Sequence, residues 1–252
     1  MTNESNPRPD FDKLWDYAHP DETERKFRAI LPQAREANDR SYLAQLLTQI
    51  ARTQGLQQRF DDAHRTLDEV ESMLTDDLKL ARARYLLERG RVFNSSEKPQ
   101  DAMVCFTKAY QLACAEKFSR YAIDAVHMLA IADPDPVKQV EWNLKGIEIV
   151  KADPAQRDWL WSLYNNIAES YALLHEYQTA LEYVLKLLEY QIEKGEPDPY
   201  TLKDKARFLR LTGHPDQALP IIQPLAQQNP DDKWFAEELD ATRAALGGAA
   251  ST

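Results

Sequence analysis

The sequence predicts an all-α chain built of stacked helix pairs, and three observations carry that prediction. Apolar residues recur at helical spacing along nearly the whole chain, and Val, Ile and Thr nowhere alternate with polar residues over a strand length. One apolar motif returns five times at a near-constant interval. Only seven glycines stand in 252 residues, about 3% against a usual ~7%, too few for many hairpins or glycine-rich phosphate loops.

In chain order, residues 1–10 are polar and Pro-containing and read as a disordered tail. Residues 11–39 form an N-terminal cap. It consists of a short helix from Phe11 to Tyr17, then Pro20 to Ala37 as a lone second helix with Phe27, Ile30 and Leu31 on its apolar face. Five repeats follow at 40–76, 77–118, 119–154, 155–197 and 198–230. Their second helices carry Ala63-x3-Leu67-x2-Val70, Ala102-x3-Phe106-x2-Ala109, Val140-x3-Leu144-x2-Ile147, Ala180-x3-Val184-x2-Leu187 and Ala218-x3-Ile222-x2-Leu225, at spacings of 39, 38, 40 and 38. Their first helices carry a small residue (Ala51, Gly90, Ala168, Ala206) where close approach of the second helix at its own small residue is needed. The third repeat is the least regular: Pro134 and Pro136 shorten its turn, Val140 replaces the small residue, and Ala130 sets the register of its first helix. Residues 231–246 make a C-terminal capping helix with Trp234, Phe235 and Leu239 covering the fifth repeat, and 247–252 read as a second tail. One domain thus runs over 11–246.

This pattern resembles the tetratricopeptide repeat family: a small–large pattern on the first helix, A-x3-F-x2-A on the second, and a proline near the repeat end, here Pro230, twelve residues after Ala218. The resemblance covers roughly residues 40–230, with a period about four residues longer than the family's 34, roughly one helical turn. It implies a right-handed superhelical solenoid of antiparallel helix pairs, with the first helices lining the concave side.

Composition excludes several classes. The net charge is −10, which disfavours nonspecific nucleic-acid binding. No run approaches the ~18 apolar residues of a membrane span, and the N-terminus has no apolar signal core, so a soluble cytoplasmic protein is expected. Cys105 and Cys114, nine residues apart on one helix, would stand ~13.5 Å apart, beyond disulfide reach. HExxH, GxSxG, GxGxxG and GxxxxGK[ST] are all absent. No metal, cofactor or catalysis is expected. His127 with Asp124 one turn earlier is the one acid–base pair the groove would offer, and a structural His explains it better.

On the expected concave stripe stand Gln45, Thr48, Arg52, Gly55, Arg84, Leu87, Arg91, Asn94, Asp124, His127, Ile131, Ser162, Asn165, Glu169, Ala172, Tyr200, Lys203, Arg207 and Arg210. Basic residues there outnumber acidic ones six to two. Arginine grips carboxylates in pairs of hydrogen bonds, and Asn binds a peptide backbone through both amide groups. The expected function is therefore non-catalytic binding of an extended or helical protein or peptide segment, with an acidic one suited to the stripe. The first contacts expected are Arg52, Arg91, Asn165, Asn166, Lys203 and Arg207, with Glu88, Asn94 and His127 behind them. The opposing reading of the same residues is an ordinary solvated face of surface ion pairs. Asn165-Asn166 is unusual in mid-helix; the pair either meets a ligand or bonds within the solenoid. Trp142, Trp159 and Trp161 are the aromatics not explained by packing, and exposed they would make a partner surface. Tyr164, Tyr171 and Tyr177 fall on packing positions.

Some family members bind the C-terminal carboxylate of chaperones. Only Asn166 matches that clamp in the best register, with His127, Ile131, Tyr200 and Asp204 at its other positions, and that activity is not expected. Two alternatives stay open: a structural module that self-associates as a homo-oligomer, and a peptide-sensing regulator acting through a separate output partner, the short acidic ends leaving no room for a helix-turn-helix segment.

Overall fold

The structure, a computed structural model, describes residues 9–249. A 3-10 turn at Phe11–Leu14 is followed by α1 (Pro20–Glu36), α2 (Arg40–Leu56), α3 (Phe60–Met73), α4 (Lys79–Ser95), α5 (Pro99–Ala115) and α6 (Ser119–Ala132). Then come α7 (Pro136–Ala152), a 3-10 turn at Pro154–Trp159, α8 (Leu160–Leu173), α9 (Tyr177–Lys194), α10 (Pro199–Leu211), α11 (Pro215–Gln228) and α12 (Lys233–Ala249). No strand occurs, and no helix is long and apolar enough to cross a membrane, among the described residues. The all-α architecture is the one the sequence predicts. Two terminal details differ. Helix α12 continues through Gly247 to Ala249, inside the predicted tail. At the other end Pro9 is in place, its carbonyl accepting a hydrogen bond from Tyr42 Oη at 2.8 Å. The remainder of both predicted tails lies outside the described residues.

The turns repeat as faithfully as the helices. Gln58, Glu97, His175 and Gly213 all have positive φ, from 58° to 86° with Lys117 included. Each of the first four stands five residues before the leading Ala of a second-helix motif. The next residue's N–H bonds back five positions into the first helix: Arg59 to Gln54, Lys98 to Phe93, Glu176 to Tyr171, His214 to Leu209, all at 2.8–2.9 Å. This left-handed closure satisfies carbonyls that the helix end would otherwise leave unpaired. The third repeat lacks it. The equivalent residue, Asp135, precedes Pro136, which pushes it to extended backbone (φ −89°, ψ 113°).

That same turn is a boundary. The sequence predicts one domain over 11–246; the helices gather into two compact units, one ending at Ala132 and the other beginning at Asp133. In the first unit α2 packs with α3 and α1, α4 with α5 and α2, and α6 with α5 and α4. In the second α7 packs with α8, α8 with α9, α10 with α9 and α11, and α12 with α10 and α11. The predicted third repeat is thereby split, its two helices belonging to different units.

Each core is built on the motif residues. Ala51, Ala63, Leu67, Val70, Ile50 and Phe27 are 0–1% exposed in the first unit, as are Ala180, Ala206, Phe208, Ala218 and Ile222 in the second. The close approach at Gly90 is to the ring of Phe106 rather than to Ala102. A Cβ there would stand 2.7 Å from Phe106 Cδ1 and 2.9 Å from Cζ, so α5 can seat this fully buried ring only against a glycine.

Candidate functional site

The first helices of the first unit, α2, α4 and α6, present one face on which the segment before α1 lies. Arg84 of α4 is its main anchor. The guanidinium donates Nη1 to Asp12 Oδ1 at 3.0 Å, Nη2 to Asp12 Oδ2, and Nε to Tyr121 Oη at 2.8 Å. It stands between two rings, 5.4 Å from the centroid of Phe11 and 5.5 Å from that of Tyr121. Burial opposes its charge, but Asp12 and Tyr121 outweigh this and raise its pKa. Trp15 donates its indole N–H to Gln49 Oε1 at 3.0 Å and packs edge-on against Phe27. Phe11 packs edge-on against Phe27 and Tyr42. Beside the segment a hollow of about 220 Å³ remains, reaching Arg52, Glu88, Arg91, Arg120 and Asp124.

Most of the charges in that hollow have a partner of opposite sign. Arg91 contacts Glu88 Oε1 at 2.8 Å and Asp124 Oδ1. Arg52 Nε stands 3.8 Å from Glu88 Oε2. Arg91, Glu88 and Asp124 are all mostly buried. Desolvation is the first influence on both arginines; the flanking carboxylates overcome it for Arg91, whose pKa is raised, while for Arg52 burial and the charge of Arg91 prevail and lower it. Both remain cationic near neutrality. His127, one turn beyond Asp124, is half-buried, and desolvation lowers its pKa despite the raising influence of Asp124.

In the second unit, α8, α10 and α12 line an open hollow of about 680 Å³. Asn165 is exposed in it, and Lys203, Arg207, Tyr200 and Trp234 share its wall. Arg207 Nη1 contacts Glu169 Oε1 at 3.0 Å, Arg210 grips Glu238 through two bonds of 2.7 and 2.8 Å, and Lys203 Nζ lies 2.9 Å from Asp204 Oδ1. Tyr200 stacks on buried Phe235 and donates its hydroxyl to Asp232 at 2.7 Å. Trp234 is 62% exposed, with Lys203 Nζ 5.3 Å from its ring centroid.

The sequence-selected residues therefore fall into two groups. Arg52, Glu88 and Arg91 come together, with His127 nearby on α6; Asn165, Lys203 and Arg207 come together on the other unit. Asn94 and Asn166 line neither hollow. Asn94 serves the end of α4, where its carbonyl accepts from Glu97 N–H, and the Asn166 carbonyl accepts from Ser170 Oγ. Thr48 and Leu87, expected on the surface of the stripe, are 0% and 1% exposed and belong to the packing. The positive charge expected on the stripe is largely matched by carboxylates: Glu88 on the same helix and Asp124 on α6 for Arg91, Glu169 on α8 for Arg207, Glu238 on α12 for Arg210. Trp142, Trp159 and Trp161 are half-buried and form no exposed patch; the indole of Trp142 donates to Asp133 Oδ2 at 3.3 Å, under Lys145. Tyr171 stacks on Tyr183 as packing predicts.

Arg84 stands on the sequence stripe, but the stripe missed its companions Tyr121, Gln49 and Tyr42 and their occupant around Asp12 and Trp15. The signal was present in Phe11-Asp12-x2-Trp15-Asp16-Tyr17, a run dense in aromatics and acids and too short for a repeat helix. Among the described residues no group of three or more His, Cys, Asp or Glu is placed to hold a metal ion.

No family model and no curated protein matches the sequence. Solved structures match the fold. RapI in its apo form is similar over 92% of this chain and 69% of its own, at 15% identity and a TM-score of 0.63. Aspartyl phosphate phosphatase F from Bacillus subtilis is similar over 91% of this chain and 67% of its own, at 13% identity and a TM-score of 0.61. The nearly identical TPR-like repeats of a protein from Podosopora anserina, described as a kinesin light chain, are similar over 84% of this chain and 98% of theirs, at 16% identity and a TM-score of 0.58. At these identities the likeness is one of fold.

Proposed function

We propose that this chain, which has the tetratricopeptide-like helical-repeat fold, is a non-catalytic binding module that takes a protein or peptide segment on the faces of its first helices, acting in the cytoplasm. The observation that carries the reading is the second unit's open hollow. Its walls combine an exposed amide at Asn165, an exposed indole at Trp234 and cationic groups at Lys203 and Arg207 on three successive first-position helices. Amide groups suit a peptide backbone, aromatic faces suit side chains, and rigid helices hold both in place. The ion pairs across the wall leave it close to neutral, so a mixed polar–aromatic segment fits it better than a strongly acidic one. An open hollow shields reacting groups poorly from water, which supports binding over catalysis.

The test is affinity capture from the native lysate with the full chain and with an Asn165→Ala/Arg207→Ala/Trp234→Ala variant of matched helical signal and thermal midpoint. A protein held by the wild type and lost by the variant supports the reading. A protein held equally by both places the contact elsewhere. Capture of this chain alone, with a mass in light scattering that rises with concentration, favours the self-assembling alternative.

A further inference from the structure

The first helices of the repeats run 13 to 17 residues. The stretch before α1 offers only the four-residue turn Phe11–Leu14. It is not a packed helix of a preceding repeat. It lies across the α2–α4–α6 face and is held as a ligand is held: one carboxylate on Arg84, one indole N–H on Gln49, one backbone carbonyl on Tyr42, one ring inserted beside Phe27. Its edges are open to solvent, with the Asp12 side chain 45% and Tyr17 66% exposed.

We propose that Pro9–Tyr17 is a tethered ligand of this face, and that the face receives in its place a partner segment bearing a carboxylate and, three residues on, an aromatic side chain. The inference rests on the binding-module reading above and names the partner chemistry for the first unit. Charge supports it. Without Asp12, Arg52, Arg84, Arg91 and Arg120 would face only Glu88 and Asp124 around the hollow, and a surplus of two positive charges attracts an acidic segment. Chemistry supports it equally: the Arg84 guanidinium, held at Nε by Tyr121 Oη, presents two outward N–H groups that match a carboxylate in a fork. The tether makes the resident segment a competitor at about millimolar effective concentration, so with an intrinsic affinity of about 0.1 mM for the resident an incoming segment is weakened about tenfold.

The test uses a fluorescein-labelled synthetic peptide of residues 9–19, read by anisotropy against the full chain and against full-length Phe11→Ala/Asp12→Asn/Trp15→Ala. The released variant should bind the peptide saturably, about tenfold more tightly than the wild type. Binding should vanish when Arg84→Ala is added or when the peptide carries Asp12→Asn. A folded released variant that takes up no peptide overturns the inference, and leaves capture through α8, α10 and α12 untouched. Hydrogen exchange on the wild type decides the matter should the triple variant unfold. Amides of residues 13–17 should exchange at least about a hundredfold faster than those of α2, by local opening. Protection equal to that of α2 would make the segment a fixed part of the core and overturn the proposal.

Discussion

Arg84 and Asp12, 72 residues apart in sequence, meet through two side-by-side N–H···O bonds that tie the segment before α1 to the middle of α4. Arg84 is nearly buried and Asp12 is half in water. The pair sits between a buried ion pair, whose disruption is costly, and a surface pair worth little. A double-mutant cycle on urea unfolding with Arg84→Met and Asp12→Asn should give a coupling of about 1 kcal/mol at low salt. The coupling should shrink in 1 M salt, since the Asp12 side is exposed. A coupling indistinguishable from zero at low salt would mean that aromatic packing alone positions the segment.

Gly90 and Gly55 give opposite expectations for one substitution. Both are helical. A methyl on Gly55 meets only Val92 Cγ2 at 3.5 Å, an ordinary contact, whereas on Gly90 it enters the ring of Phe106. Gly55→Ala should stabilise by about 0.5–1 kcal/mol through helix propensity. Gly90→Ala carries the same propensity gain but must displace a fully buried ring, and should destabilise by about 2 kcal/mol. Thermal midpoints moving in the same direction would show that α5 slides freely on α4.

Gly90 also shows how much was legible in the sequence. The fixed twelve-residue offset at Ala51/Ala63, Gly90/Ala102, Ala168/Ala180 and Ala206/Ala218 marks where these helix pairs pack, although at Gly90 the residue that needs the space is Phe106, four positions beyond Ala102. The helix pairs were therefore readable from the sequence, though not every contact between them. The site was less so. A stripe counted along each helix holds Arg91, Asp124, Glu169 and Arg207 but does not tell which cation meets which carboxylate across helices, because that register is set by packing between repeats. The occupant of the first face was unreadable for a different reason: nothing in helical periodicity says where a four-residue turn will lie. The break at Ala132 was half-visible, as Pro134 and Pro136 mark an altered turn without telling which neighbours each flanking helix keeps.

Stability should fall as the solution is acidified from about pH 7.5 to about pH 5.5. Burial first, then the charge of Arg89, lowers the His64 pKa; burial first, with Arg91 also acting against the charge, lowers that of His127, although Asp124 opposes. In the unfolded chain both rings take up a proton near the ordinary value of 6.5, while the folded chain takes it up only at lower pH. The unfolded state then binds more protons across that window, so stability present above pH 6.5 is lost as pH falls. His19 acts in the opposite sense, its pKa raised first by the hydrogen bond to Asp16. Replacing His64 and His127 together by Gln should abolish the decline in urea midpoint, or leave a slight rise toward acid from His19. An unchanged decline would assign it to other groups.

The left-handed turn positions predict stabilising changes where no contact is altered. Gln58, Glu97 and Lys117 hold φ of 58–63° with side chains that crowd their own carbonyls there. Glycine removes that strain and costs some unfolded-chain entropy, so Glu97→Gly or Gln58→Gly should yield a net gain of about 0.5–1 kcal/mol, read as a higher thermal midpoint. Asp135 is the matched control. It stands at the equivalent place in the third repeat with φ −89°, where glycine relieves nothing, and its Oδ1 accepts from Val137 N–H at 2.9 Å to cap α7. Asp135→Gly should therefore lower the midpoint, by about 1 kcal/mol in stability, through the lost cap and the added backbone freedom. A gain at Asp135 equal to that at Glu97 would mean that the third turn shares the left-handed closure of the others in solution, and that Pro136 does not set the boundary between α6 and α7.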